Sequence, residues 1–414
     1  MTFPDTATPV SGPRPATHGG WLAWLTAIAC LPPLGLNLMI PLDRALATDL
    51  ASTPAIGMAA IGLYALGLAL GQPLAGYASD GWGRRPTLVT GLAIGSVGGL
   101  LASLATDPAT LLAGRTLAGL GLSVSLVVPR AVLRDLAEGA SLQRGMSVIS
   151  TAFAVMPAVT PVVGWWLLAR TGDWRFVMAV LPLLSLAALA LAAPFHPETR
   201  RVGTFAPGLA SLRAIWKHRQ ARSIALAFAA FGAVFFVLIG LVPAAVRGTL
   251  GADERFVALL MGGTFLGFLV GNAVVSFLAS RHQPLVLCTT GCAIAGLGVA
   301  LMCVAAARPS AVGWTFALLC YSLGHGMLFP TALTVVIQAM PTRAGLAAAM
   351  TGMAPMLAGG CAAMAAGVIP ASAGSRLVLV CLPLVVIGAT ALRMAWTAPA
   401  SDNHPSGDPN EATG

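Results

Sequence analysis

Long apolar segments separated by short polar connections recur along almost the whole chain. None of them shows the apolar–polar alternation of a barrel strand. A run of about 20 apolar residues crosses the hydrocarbon of a bilayer as an α-helix, because a helix satisfies its own backbone hydrogen bonds. The pattern predicts an all-α membrane protein with twelve transmembrane helices. These are spans 1–12, at 21–42, 55–78, 87–106, 110–133, 147–169, 175–193, 223–245, 256–278, 285–306, 312–338, 345–369 and 376–396.

The composition supports a membrane protein. The 414 residues are 57% hydrophobic and 9% charged, and the mean hydropathy is +0.85. A soluble protein of this length exposes far more polar side chain. The seven cysteines all fall inside predicted spans. They read as small apolar packing residues, with no spacing typical of a metal site, and we expect neither metal nor cofactor.

The longest polar connection divides the spans into two sets of six. It predicts an N-terminal tail at 1–20, a first six-helix half at 21–193 (the N half), a basic linker at 194–222, a second half at 223–396 (the C half) and a C-terminal tail at 397–414. We expect the two halves to form one functional unit, and the protein to be a monomer.

Basic residues predict the orientation, because cytoplasmic loops carry an excess of Lys and Arg. With both termini cytoplasmic, fourteen of the 23 basic residues lie on that side and seven on the other, while Arg115 and Arg130 fall within span 4. Both tails and the linker are therefore predicted to be cytoplasmic, in a bacterial-type inner membrane. The formal net charge of +9 follows from this topology, and nothing in the pattern indicates a nucleic-acid partner.

The connection between spans 2 and 3, GYASDGWGRRP, concentrates three charges in a chain that otherwise avoids charge. Gly76, Asp80, Gly83, Arg84 and Arg85 match, in order and spacing, the signature G-x-x-x-D-R/K-x-G-R-R of the major facilitator superfamily, which the whole chain resembles. A glycine replaces the basic residue that the family usually has after the aspartate. The resemblance implies the twelve-span fold of that family and a motif that holds the cytoplasmic side closed in the outward-facing state.

Span 4 is similar to that of the drug/proton antiporters of this superfamily. Their R-x-x-Q-G-x-G motif is matched by Arg115, Gly119 and Gly121, with alanine in place of glutamine, and the continuation LVVPRAVLRDL resembles the bicyclomycin-resistance-like branch. By that resemblance, Arg115 lies in the central cavity and takes part in proton coupling. The span 5 motif of the group is matched only at Pro161 and Gly164. These prolines and glycines are expected to bend their helices.

No acid lies in the middle of a predicted span. The bicyclomycin-resistance-like branch commonly has an aspartate four residues before a proline in span 1, and this chain has Asn37 there. A proton carrier has to titrate, so the candidates are His325 in span 10, Asp43 near the outer end of span 1 and Asp135 near the inner end of span 4. For His325, a hydrogen-bonded packing role is the alternative.

Scattered polar side chains are expected to turn inward and line a substrate cavity. They are Asn37, Tyr64, Gln72, Asn272, Tyr321 and Gln338. A cavity of amides and phenols without a central acid suits a neutral or partly anionic organic molecule better than an organic cation.

The function predicted from these observations is secondary active transport, with lipid, protons and a small-molecule substrate as partners. The leading hypothesis is an exporter of small amphiphilic molecules, such as an antibiotic, a siderophore or a metabolite, by proton antiport. An uptake symporter or facilitator is the alternative. A membrane enzyme is disfavoured, because metal-ligand, nucleophile and nucleotide-binding motifs are absent from the sequence.

Overall fold

The computed structural model describes residues 18–53, 55–195, 198–199, 218–340 and 344–397, and these ranges contain twelve helical segments that can cross a bilayer. Their bounds, in order, are Gly20–Asp49, Ala55–Gly81, Arg84–Ser103, Pro108–Leu136, Gly139–Thr171, Trp174–Leu191, Arg219–Leu250, Glu254–Leu278, Pro284–Ala307, Ala311–Ala339, Thr351–Val368 and Ala373–Trp396. The predicted twelve-span, all-α fold is confirmed. Most of both predicted tails and of the linker lies outside the described residues.

The spans run up and down, so their connections alternate between two ends of the bundle. We call one end the linker face, since span 6 ends there and span 7 begins there, and spans 2, 4, 8 and 10 also end there. The opposite end is the far face. The connections that follow spans 1, 3, 5, 7, 9 and 11 lie at the far face.

Span 1 is broken into four short pieces, where the sequence predicted one helix. They are His18–Ala29, Leu31–Asn37, a 3-10 turn at Ile40–Leu42 and Asp43–Asp49. Prolines lie in the first turn of the second and third pieces. Proline interrupts the preceding helix there, because it has no N–H to donate and its ring clashes with the carbonyl four residues earlier. As a result, Asp43 lies in the first turn of a separate helix.

Glycines let the spans of the N half approach at backbone distance. A Cβ on Gly121 of span 4 would overlap the backbone of Gly95 in span 3, and a Cβ on Gly119 would overlap the carbonyl of Tyr64 in span 2. Gly119 and Gly121 are therefore contact residues, and the bending role expected from the sequence stays a prediction. Span 4 does break, but at Ser123, beyond both glycines.

Span 5 is a continuous helix, Gly139–Thr171, with Pro161 inside it. Its Gly164 faces span 1, where an added Cβ would lie 3.1 Å from the ring of Pro41. This glycine also serves helix packing, since it lets the two spans approach where span 1 is irregular.

The two halves pack against each other through the parts of their spans nearest the far face. In span 2, Gly62 lies against Gly360 and Met364 of span 11. Where spans 5 and 8 meet, a Cβ on Gly262 would lie 2.5 Å from the carbonyl oxygen of Ala158. These contacts close the far end of the space between the halves.

Toward the linker face the same helix surfaces become exposed. At 3.6 residues per turn, the surface of span 2 that carries Gly62 and Leu66 continues through Pro73 and Tyr77, and Tyr77 is 60% exposed. The surface of span 5 that carries Ala158 continues through Thr151 and Val148, both exposed. The halves therefore separate toward the linker face, and the described conformation is open on that side.

We predict that Gly121→Ala lowers the thermal stability of the purified protein. The added methyl group has to displace the backbone of span 3, and overpacking of this kind costs about 1–3 kcal/mol. The matched control is Gly263→Ala, at a helical glycine with no neighbour within 4 Å of an added Cβ. The melting temperature in detergent is the measured quantity. An equal decrease for both variants, or no decrease for either, would contradict the assigned contact.

Candidate functional site

The charged connection after span 2 is organised around Arg84, whose side chain is 4% exposed. Its guanidinium donates to Asp80 at 2.5 Å, to Asp135 of span 4 at 3.0 Å and to the hydroxyl of Ser79 at 2.8 Å. Asp135, considered above as a proton carrier, is therefore an ion-pair partner of the motif. A buried guanidinium with two carboxylates ties the linker-face ends of spans 2, 3 and 4 together.

Glu198, from the connection after span 6, joins the same cluster. Its carboxylate accepts hydrogen bonds from the backbone N–H groups of Arg84 at 2.9 Å and Arg85 at 3.2 Å. This is anion binding at a helix N-terminus, where the first N–H groups have no partner within the helix. Gly83, with φ +117°, makes room for the carboxylate, because a Cβ there would overlap it.

The partners described for the motif all belong to the N half or to the residues that follow it directly. An added Cβ on Gly76 would meet no atom within 4 Å. In this linker-open conformation the motif therefore holds one half together. The closing role in the outward-facing state, which the resemblance implies, stays a prediction.

The two halves are joined at the far face by a second charged cluster. Arg247 of span 7 donates to Asp43 of span 1 and, at 2.9 Å, to Glu254 of span 8. Glu254 also lies 3.7 Å from Arg44 of span 1. Among the described residues, the ion pairs that connect the N half to the C half are those of Asp43 with Arg247 and of Arg44 with Glu254.

Arg247 is the buried centre of this far-face cluster. Its side chain is 2% exposed, while those of Asp43 and Glu254 are 17% and 28% exposed. The four residues alternate in sign along the chain of contacts, with two charges from each half. Asp43 had been predicted as a coupling residue, and the structure makes it a bridge between the halves.

Arg115 lies buried inside the N half. The resemblance had predicted that it lies in the central cavity. The side chain is 1% exposed, and its guanidinium carbon sits 4.0 Å from the centre of the Tyr64 ring. Its Nε contacts the carbonyl of Ala60 at 3.4 Å, and Nη2 has no partner. Tyr64 covers the group because spans 2 and 4 approach at Gly119.

A small cavity adjoins Arg115. It is enclosed by spans 1, 3, 4 and 6, measures about 10 Å³ and is lined by Gly35, Leu38, Gly99, Ala102, Arg115, Ala118, Met178 and Leu181. This is about the space of one water molecule. The arrangement can hydrate the guanidinium, but it cannot hold an organic substrate.

His325 of span 10 is surrounded by aromatic rings. The ring of Phe235 stacks on it at 5.4 Å and 3°, and that of Tyr321 at 5.7 Å and 13°, with Phe228 and Phe268 close by. The imidazole is buried and its Nδ1 has no hydrogen-bond partner. His325 therefore has an aromatic environment in place of the acidic partner that a proton relay typically provides.

The six predicted cavity residues do not share one cavity. Tyr64 and Tyr321 are buried, and their hydroxyls donate to the carbonyls of Pro32 and Phe231. Asn37 is also buried and donates to the carbonyl of Pro33. Each of these three side chains donates to a carbonyl of its own half, and the Oδ1 of Asn37 has no partner among the described residues. The sequence pattern could not reveal these contacts.

The remaining three are more accessible. Gln72 is partly buried where span 2 meets span 11, and its amide donates to the sulfur of Met356 at 3.4 Å. Asn272 donates to the carbonyl of Phe268 at 3.1 Å. Gln338 lies at the linker face, in a cleft of about 460 Å³ within the C half. Of the six, Gln72 is the one that the structure places between the halves.

Comparison with known proteins identifies the family. A family model for the Major Facilitator Superfamily matches residues 22–363. The chain belongs to this superfamily. It is 25% identical to an uncharacterized MFS-type transporter, YdgK, of Bacillus subtilis (strain 168), over 81% of this chain and 85% of the relative. It is 26% identical to Multidrug resistance protein D of Escherichia coli (strain K12), over 84% and 89%.

Another relative matches a shorter part of this major facilitator. The chain is 28% identical to a bicyclomycin resistance protein homolog of Haemophilus influenzae (strain ATCC 51907 / DSM 11121 / KW20 / Rd), over 52% of this chain and 56% of the relative. Together these relatives support the assignment of the chain to the drug-efflux branch of the superfamily. The protein is a multi-pass membrane transporter with a small-molecule substrate.

Solved structures confirm the fold. A D-xylose–proton symporter superposes with a TM-score of 0.72 at 17% identity, covering 92% of this chain and 98% of its own. A peptide transporter solved with sulfate superposes with a TM-score of 0.74 at 12% identity, covering 94% and 96%. At these identities the similarity concerns the fold alone.

We predict that Arg84→Ala destabilises the protein by about 3–5 kcal/mol, because it leaves Asp80 and Asp135 as partly buried charges without their shared cation. Arg134→Ala, at an exposed arginine one position before Asp135, is the matched control. The check is thermal unfolding in detergent. Equal melting temperatures for the two variants would show that the Arg84 cluster does not hold the N half together.

Proposed function

We propose that this transporter exports small amphiphilic organic molecules by proton antiport, with the linker face in the cytoplasm of a bacterial-type inner membrane. The relatives named for multidrug and bicyclomycin resistance support the direction and the substrate class. The distribution of basic residues supports the orientation.

The observation that carries the proposal is the asymmetry of the space between the halves. It is closed at the far face by helix packing and by the Arg247 ion pairs, and it opens at the linker face. A carrier that loads cytoplasmic substrate has to pass through this conformation. The alternative, an uptake carrier, passes through it to release substrate, so transport assays have to decide the direction.

The aromatic cluster in the C half is our proposed substrate wall. Phe329 is 43% exposed and contacts Phe228 of span 7 and Phe268 of span 8, so its exposed edge lies between these two spans. Phe235 and Phe268 are partly exposed beside it. Aromatic faces bind planar apolar groups, so these rings are our proposed contact for the apolar part of a substrate.

Arg115 remains our proposed coupling residue in the N half. A buried guanidinium without a carboxylate partner among the described residues is costly within a membrane, and such residues are by default functional. We infer from its burial that Arg115 acts on the charge balance of the N half and does not contact substrate.

The proposed function is tested in everted vesicles energised by respiration, with a pH-sensitive dye that reports the lumenal proton pool. We expect chloramphenicol or bicyclomycin, two neutral antibiotics, to trigger proton efflux from vesicles that contain the protein. Arg115→Ala is expected to abolish this response, since the compensating charge is lost. Arg308→Ala, at an exposed arginine of the far face, serves as the control and is expected to retain it.

The opposite results are equally informative. Proton influx on addition of substrate, or substrate movement in the opposite direction, would establish the uptake alternative. An undiminished response in Arg115→Ala would remove Arg115 from the coupling mechanism.

We predict that Phe329→Ala weakens the interaction with chloramphenicol, which has an aromatic ring, by roughly 2–10-fold, because one aromatic contact is worth about 0.5–1.5 kcal/mol. Bicyclomycin, which has no aromatic ring, is expected to be unaffected. Phe316→Ala is the control, since Phe316 lies on the same span, is 62% exposed and makes no ring contact with the cluster around His325. The half-saturating concentration for export is the measured quantity, and equal changes for both antibiotics would contradict the proposed wall.

A further inference from the structure

We propose that the contact between Asp43 and Arg247 is the latch of the far gate, and that Asp43 acts on gating without carrying the coupled proton. This inference rests on the proposed antiport function for its second part only. The latch itself follows from the ion pairs of the far face.

The position of the cluster makes it a latch. Asp43 and Arg44 belong to span 1, and Arg247 and Glu254 belong to spans 7 and 8, so the cluster has to come apart when the halves separate at the far face. Asp43 is held against the N half, because the start of span 2 packs on it: a Cβ on Gly57 would lie 3.2 Å from its Cβ. The carboxylate therefore moves with its half.

The burial of Arg247 gives the contact its strength. With a 2% exposed side chain, this guanidinium is shielded from water, and attraction between charges is larger where water is excluded. Glu254 belongs to the same half and stays with Arg247 when the gate opens. The part of the interaction that opening destroys is therefore the part made with Asp43, together with the more exposed pair of Arg44 and Glu254.

The effect that a proton on Asp43 has on closing of the far gate distinguishes the latch from the site that carries the driving proton. In antiport, the driving proton binds from outside while the far gate is open, and the loaded protein then closes that gate. A proton on Asp43 removes the charge that attracts Arg247, so it opposes this closing step. Asp43 has to be ionised when the far gate closes, which is the reverse of what the carrier of the driving proton requires.

The same reasoning gives the effect that protonation of the far-face carboxylates has on the far gate. Arg247 faces the Asp43 carboxylate directly, and the backbone N–H of Arg44 donates to it at 2.9 Å. Glu254 lies on the other side of Arg247 and also faces the Arg44 side chain. Protonation of Asp43 removes the charge that attracts Arg247 across the two halves and favours the open far gate, whereas Glu254 lies in the same half as Arg247 and contributes to the contact between the halves only through its more exposed pair with Arg44. A proton on Asp43 is therefore expected to act in the same direction as the substitution Asp43→Asn.

The latch is tested by a distance measurement that needs neither substrate nor proton gradient. Spin labels are placed on Thr48→Cys in span 1 and Arg255→Cys in span 8, both exposed at the far face, in a variant whose seven native cysteines are replaced by alanine. In nanodiscs at pH 8, we expect a predominantly short distance. Asp43→Asn is expected to raise the ratio of long to short distances about tenfold or more.

Asp49→Asn is the matched control. Asp49 lies on the same short helix and pairs with Arg175 of span 6 at 2.7 Å, so this substitution removes a far-face ion pair within one half. We expect it to leave the distances unchanged. Arg247→Gln is expected to reproduce the effect of Asp43→Asn, and the double variant is expected to add little to either single one, because both remove the same contact. Unchanged distances in Asp43→Asn, or an equal shift in Asp49→Asn, would overturn the latch.

The second part of the proposal, that Asp43 does not carry the coupled proton, is tested in proteoliposomes by measuring the number of protons moved per chloramphenicol molecule. We expect Asp43→Asn to change the rate of export and to leave the ratio unchanged. Loss of proton movement with continued export would show that Asp43 carries the driving proton and would overturn the separation of roles. If the parent protein moves no protons, the antiport function and this second part both fail, while the distance measurement still decides the latch.

Discussion

The contact of one buried arginine with an aspartate of the opposite half determines how this molecule is arranged. Arg247 is almost fully enclosed, and its partner Asp43 lies 204 positions earlier in the chain. Because attraction between charges is stronger where water is excluded, this ion pair stabilises the arrangement in which span 1 meets spans 7 and 8. That arrangement closes the far face together with the helix packing at Gly62 and Gly262, while the halves separate at the linker face.

Movement between two states requires halves that stay intact while the contact between them changes. The N half has backbone-distance packing at Gly121 and Gly119, and the Arg84 cluster fixes the linker-face ends of spans 2, 3 and 4. Glu198 adds the chain that follows span 6 to this cluster. The two charged clusters therefore differ in kind, since one holds a half together and the other holds the halves against each other.

The sequence was sufficient for the fold, since twelve apolar runs of membrane-spanning length dictate twelve helices. It was also sufficient for the charged motif, whose residues are adjacent in the chain. The partners of Asp43 and of the N–H groups beside Gly83 could not be predicted, because each contact joins distant segments and depends on how the spans pack. The surroundings of Arg115 depend on the same packing, and so does the aromatic cluster around His325.

The central claim, that the space between the halves is open at the linker face and closed at the far face, is tested most directly by the accessibility of a cysteine inside it. Phe329→Cys, in a cysteine-free variant, is exposed to a membrane-impermeant thiol reagent from each side in turn. The account predicts fast labelling in everted vesicles, slow labelling in right-side-out vesicles, and faster labelling from the far face once Asp43 is replaced by asparagine. Fast labelling of the parent protein from the far face alone would contradict it.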